Sequence, residues 1–198
     1  MNPGNLPPQP VNASADATAS AASSSTSSAA DPRAVRMIVF DVDGVLTDGA
    51  ITYHTTGGES KNFHTKDGLG LRAAMQAGLQ VAVITARNST IVARRMEELG
   101  VRDLVQGCSD KAKEVAGLSR ALDVPLSAMA YVGDDLVDLP AMRRVGYPVA
   151  VADAADELRE MAAYVTRRRG GRGAGREVVE HILRAQGRWQ RIVEGYRG

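Results

Sequence analysis

Short apolar runs, most of them rich in valine and isoleucine, alternate with longer segments of helical period, and this alternation constrains the chain more than any other feature. The runs are Met37 to Phe40, Leu79 to Ile84, Asp103 to Val105, Ala130 to Val132, Val149 to Val151 and, more weakly, Tyr164 to Thr166. Apolar strands buried on both faces and joined by crossover helices imply an α/β fold: a Rossmann-like, doubly wound parallel sheet. Asp67 and Asn88 stand where helices begin, and Gly78 and Gly100 stand just past where they end. Ile91, Val92, Met96 and Leu99 make one helical stripe that should lie against the sheet. One segment breaks the rhythm. From Ala50 to Phe63, Ile51, Tyr53 and Phe63 flank Gly57-Gly58, which suits a hairpin flap at about residues 50–64 better than a helix.

The chain has 198 residues, 44% of them hydrophobic, enough for one core and not two. Residues 13–30 hold eight alanines and seven serines and no large apolar side chain. Nothing there offsets the entropy of ordering, so Met1 to about Ala34 is expected to be a disordered tail before one domain at 35–198. The first basic residue is Arg33 and no apolar run precedes it, unlike a secretory signal or a transit peptide. Cys108 is the single cysteine, so no internal disulfide forms, and the cytoplasm is the expected compartment. No run approaches the ~18 apolar residues of a spanning helix, and no membrane partner is expected. From Arg167 onward there are nine arginines against three glutamates. Only Trp189 and Tyr196 stand among them, too few aromatics to stack bases along the run, so a nucleic-acid partner fits less well than an anionic small molecule.

The chemistry concentrates at the ends of the predicted strands. Asp41-Val-Asp43-Gly44-Val-Leu-Thr47 follows the first strand, and Gly133-Asp134-Asp135-Leu-Val-Asp138 follows the fourth. In open α/β folds, ligands bind outside the carboxyl ends of the strands. Residues two apart in extended chain point the same way, so Asp41 and Asp43 can face one substrate atom. Two unit charges about 4 Å apart repel by roughly 4 kcal/mol at an effective dielectric near 20, so such an acidic edge needs a cation. Its donors are all oxygen, which favours Mg2+. Thr85 ends the second strand and Lys111 opens the helix after the third, adding a hydroxyl and an ammonium. Alone, Thr85 is a strand-end cap, Lys111 a surface ion pair, and Asp-x-Asp-Gly a turn or calcium loop. Together, in the order Asp, Thr, Lys, Asp, they describe a site for a phosphoryl group attacked by a carboxylate.

This ordered set resembles the four motifs of the haloacid dehalogenase-like phosphatase superfamily, over about Val35 to Gly187. Less generic stretches, including Val45-Leu-Thr47-Asp48-Gly49 and Gly170-Gly171-x-Gly173-Ala174-x-Arg176-Glu177, are similar to its cap-poor branch acting on 3-deoxy-D-manno-octulosonate 8-phosphate. The resemblance implies a magnesium-dependent phosphomonoesterase of lipopolysaccharide precursor synthesis. Asp41 would be the nucleophile and Asp43 the acid and base, with Thr85 and Lys111 on the phosphoryl oxygens. The metal would sit on the side chains of Asp41 and Asp134 and the backbone carbonyl of Asp43, with Asp135 acting through water and Asp138 in support. It also implies a homotetramer in which the hairpin aids assembly and a neighbouring subunit helps close the site. Thr85-Ala86-Arg87 departs from the family's usual Thr-Gly-Arg, and Gly175 replaces a bulkier residue.

A sugar-acid substrate brings a carboxylate, for which Arg87 is the foremost candidate, then Lys66 and Arg176. Gly170 to Gly175 is equally readable as a phosphate cradle or a hinge. His54, His64 and His181 lack metal spacing and are expected at the surface or in packing, and Cys108 as a small buried side chain. Three rival functions share parts of this pattern. They are a signalling receiver domain, a non-catalytic tetramerising module like that appended to acylneuraminate cytidylyltransferases, and a phosphatase of a nine-carbon keto-sugar-acid phosphate. A module that only binds has no need of Asp43 beside Asp41.

Overall fold

The computed structural model describes residues 30–197. In chain order the elements are β1 (Met37–Phe40), β2 (Thr52–Tyr53), β3 (Glu59–Ser60), α1 (Thr65–Gln76), β4 (Gln80–Ile84), α2 (Thr90–Leu99), β5 (Asp103–Val105), α3 (Lys111–Ala121), β6 (Met129–Gly133), α4 (Leu139–Met142), β7 (Tyr147–Ala150), α5 (Asp156–Met161), β8 (Tyr164–Val165), α6 (Ala174–Ala185) and α7 (Trp189–Gly195). Six strands form one sheet in the order β5-β4-β1-β6-β7-β8, and every pairing in it is parallel. After β1 the chain winds toward β5. It then crosses back to β6 and winds the other way, so the switch point lies between β1 and β6. Phe40 pairs with both Val83 and Val132, which brings Asp41, Thr85 and Asp134 to one edge.

Burial explains why the strands lack alternation. All four residues of β1 are fully buried, because helices cover both faces. Contacts group α1 with α2 and α6, and α3 with α4, the two layers that right-handed crossovers create when winding reverses. On α2, Val92, Met96 and Leu99 are buried as the stripe predicts. Strand β7 starts two residues earlier than expected. Pro148 is tolerated within it, and its carbonyl accepts the Ala163 N–H at 2.9 Å.

The helix caps differ from the sequence reading. His64 caps α1 through its side chain, accepting the Lys66 N–H at 3.2 Å. Asp67 instead accepts the Arg176 N–H of α6 at 2.7 Å, so it caps a helix more than a hundred residues away. Ser89 rather than Asn88 stands at the start of α2. The antiparallel pair β2–β3 confirms the hairpin, with Thr47 bridged to Phe63 at its base. The expected tail lies, through residue 29, outside the described residues. Its proposed boundary at Ala34 falls late, because Asp31 already caps a turn at Pro32–Ala34, and Gln186 of the α6 end bonds the Val35 carbonyl at 2.7 Å. Among the described residues no helix is long and apolar enough to cross a membrane.

Candidate active site

Four chain segments converge at the carboxyl edge of the sheet. Asp41 leaves β1 with its N–H still bonded to the Val132 carbonyl at 3.0 Å, which fixes its backbone as an extension of the strand. Lys111, the first residue of α3, places its Nζ 2.8 Å from Asp41 Oδ1 and 2.6 Å from Asp138 Oδ1. All three side chains are buried. Asp138 also accepts from the Tyr131 hydroxyl at 2.7 Å and the Asp134 N–H at 3.1 Å. Four donors around one carboxylate make Asp138 an anchor: it holds Lys111 against Asp41 and fixes the loop that carries Asp134. Tyr131, an aromatic with a polar tip in an otherwise apolar strand, was the overlooked signal for that anchor.

Carboxylate oxygens of Asp41, Asp134 and Asp138 lie within 4.8 Å of one another. Burial, then the charges of its neighbours, pushes the Asp134 carboxyl up to about 8. Asp41 is pushed up to about 6 by burial and by Asp138, against the opposing pull of Lys111. Burial disfavours the Lys111 ammonium, yet the flanking carboxylates raise its pKa overall. One ammonium therefore serves three carboxylates, and the remaining negative charge fits a hard divalent ion with oxygen ligands. Asp138 is committed to its donors, which leaves Asp41 and Asp134 as the side chains free to take the ion. Asp135 is exposed and accepts the Leu136 N–H at 2.8 Å, so it stands outside this trio.

The loop after Asp41 is shaped around the cluster. Gly44 adopts φ +96°, and a Cβ there would fall 2.0 Å from Asp134 Oδ2. Behind it, a Cβ on Gly170 would fall 1.6 Å from the Gly44 carbonyl oxygen. The Gly170 N–H donates to Asp153 at 2.9 Å and the Gly171 N–H to the Val45 carbonyl at 2.9 Å. Their amides are spent inside the protein, so these two glycines are not open to cradle a phosphate. They brace the loop after Asp41 from behind.

The hairpin closes another side. Lys61 forms an ion pair with Asp43, while Glu59 accepts from the Ser89 hydroxyl at 2.5 Å and lies 3.8 Å from Arg87. Arg87 donates to the Tyr53 hydroxyl at 3.0 Å, and its N–H donates to Thr85 Oγ1 at 3.3 Å. Thr85 and Arg87 thus share one turn at the site. Sequence reading missed Tyr53, Glu59, Lys61 and Ser89, because their partners lie in other loops. Lys66 and Arg176 are placed elsewhere: they line a cavity of about 730 Å³ with Arg167, Arg168 and Glu177, whose lining includes neither Asp41 nor Lys111. Arg176 is occupied by Glu180 at 2.7 Å and lies 4.7 Å over the Trp189 ring. His181 packs in a stack with Tyr164 at 3.9 Å, and Cys108 is buried, as expected of both.

An aspartate at the first strand end, an ammonium shared with a second carboxylate and a third carboxylate across the switch point define a phosphoryl-transfer site. The chain belongs to the haloacid dehalogenase-like hydrolase family, whose model matches residues 101–173. Over 154 residues, 78% of this chain and 82% of the other protein, it is 46% identical to 3-deoxy-D-manno-octulosonate 8-phosphate phosphatase KdsC of Escherichia coli strain K12. Its fold is similar to that of the same phosphatase from Moraxella catarrhalis in complex with magnesium ion, phosphate ion and KDO. That likeness has a TM-score of 0.82 and 41% identity, and covers 83% of this chain and 95% of that one. The cobalt-bound enzyme from Haemophilus influenzae is similar at a TM-score of 0.77 and 40% identity, over 79% and 91% of the two chains.

Proposed function

We propose that this chain hydrolyses 3-deoxy-D-manno-octulosonate 8-phosphate to the free sugar acid and phosphate, a step of lipopolysaccharide precursor synthesis. The observation that carries the reading is the buried Asp41–Lys111–Asp138 chain facing Asp134 across the switch point, in a protein similar along most of its length to phosphatases of that name. A magnesium ion held by the Asp41 and Asp134 side chains and the Asp43 carbonyl supplies positive charge to the cluster and to the phosphoryl oxygens. Lys111 and Thr85 hold those oxygens, and Lys111 keeps Asp41 aimed at phosphorus. An Asp41 oxygen attacks in line, a new P–O bond forms, and the ester P–O bond breaks. Asp43 gives its proton to the leaving alkoxide. It then takes a proton from water, whose oxygen attacks the aspartyl phosphate and releases Asp41 and inorganic phosphate. Arg87 receives the substrate carboxylate. Asp135 acts on the metal through water, and the working form is a cytoplasmic homotetramer.

A panel of sugar phosphates assayed with Mg2+ and with EDTA tests this. The highest kcat/KM should fall on the eight-carbon sugar acid and vanish with EDTA. Turnover that ignores the chelator overturns the mechanism. Preference for a nine-carbon analogue reassigns the substrate.

A further inference from the structure

Lys61 is the one side chain of the hairpin that is wholly shut off from water, at 0% exposure, whereas Tyr53 on the same hairpin is 70% exposed. The strand period explains how. Glu59, Lys61 and Phe63 share one face of the returning arm, and Ser60 and Asn62 share the other, exposed one. Glu59 takes the Ser89 hydroxyl, Phe63 is bridged to Thr47, and Lys61 reaches Asp43. Burying an ammonium is strongly unfavourable unless a carboxylate meets it, so this lysine is held inward for its partner. Among the described residues, the Asp43 carboxylate has no hydrogen-bond partner other than Lys61. Asp43 lies in a loop, just before the left-handed Gly44, and among the described residues Lys61 is the hydrogen-bonding group that sets the direction of its carboxylate.

We infer that Lys61 is a positioning residue for the acid–base step: it fixes the Asp43 carboxylate where the leaving oxygen and the attacking water must pass. The hairpin then acts on the site of its own chain, in addition to any part in assembly. This rests on Asp43 being the acid and base, and the experiment separates the two claims. Lys61→Met should lower kcat on the sugar phosphate about 10- to 100-fold, the scale of a 1 Å misplacement, with KM little changed. p-Nitrophenyl phosphate has a leaving group that needs no proton, so its first turnover should keep its rate while later turnovers slow, giving a burst. Lys61→Arg should restore most of the loss. Asp43→Asn, run in parallel, should show the same dependence on leaving group. Undiminished kcat in Lys61→Met, or an equal fall in the first turnover of both esters, overturns the role of Lys61. Undiminished turnover in Asp43→Asn overturns the reading of Asp43 itself. Should Lys61→Met lose its thermal transition, Lys61→Gln, which keeps a donor without the charge, is scored by the same two esters.

Discussion

Asp134 is the residue where proton and metal compete. Without metal its carboxyl is raised from 3.8 to about 8, and Asp41 from 3.8 to about 6. A carboxyl raised in the folded state favours folding while both states are protonated. That contribution is lost as pH climbs past the unfolded value and through the folded one. In EDTA, the melting temperature should therefore fall between about pH 4 and pH 8 through these two groups. Mg2+ needs the ionised carboxylates, so it should raise the melting temperature more at pH 8 than at pH 5. Calorimetry at both values checks this, and equal shifts would place the ion elsewhere. At this scale Asp41, Thr85, Lys111 and Asp134 were legible because strand ends index them along the chain. Lys61 was not, because nothing local distinguishes a lysine that meets Asp43 from one that meets water.

Elements show a similar division. The six strands were legible as apolar runs, and so was the hairpin, because glycines at φ +88° and +92° stand at its tip. Caps were less so. Asp67 has the composition of a helix start, and no local pattern shows that the helix it serves is α6. Among the described residues one of its oxygens, Oδ2, is buried without a hydrogen-bond partner, and burial raises the Asp67 carboxyl above its usual value. Asp67→Asn keeps the acceptor for the Arg176 N–H and removes the buried charge, so it should unfold at nearly unaltered denaturant concentration. Asp67→Ala should cost about 1–2 kcal/mol, the scale of a lost cap. Urea titration of the two variants decides it, and equal destabilisation by both would show that the charge itself is needed. The Gly170–Gly171 brace was illegible for the same reason: a glycine run does not reveal which carbonyl it must approach.

For the whole molecule, the parallel sheet with its switch point between β1 and β6 turns distant motifs into one site. The doubly wound parallel class was legible from the apolar runs and the helical segments between them, whereas the order of the strands was not. Nor was what surrounds the site. Tyr53 on the hairpin, and Leu136 and Val137 beside Asp135, stay 70%, 51% and 61% exposed in the single chain. Apolar side chains left bare beside the loop that carries Asp134 and Asp138 support the proposed tetramer. Light scattering should return four times the chain mass of 20.9 kDa, and Leu136→Glu with Val137→Glu should lower both that mass and kcat/KM on the sugar-acid phosphate. Full kcat/KM in a monomer would confine the site to one chain. The account as a whole turns on whether Asp41 bonds to phosphorus. The stereochemical course of hydrolysis, followed with a substrate made chiral at phosphorus, reports this directly. Two successive in-line displacements give net retention, the predicted result, whereas inversion would mean that water attacks the ester itself and would contradict it.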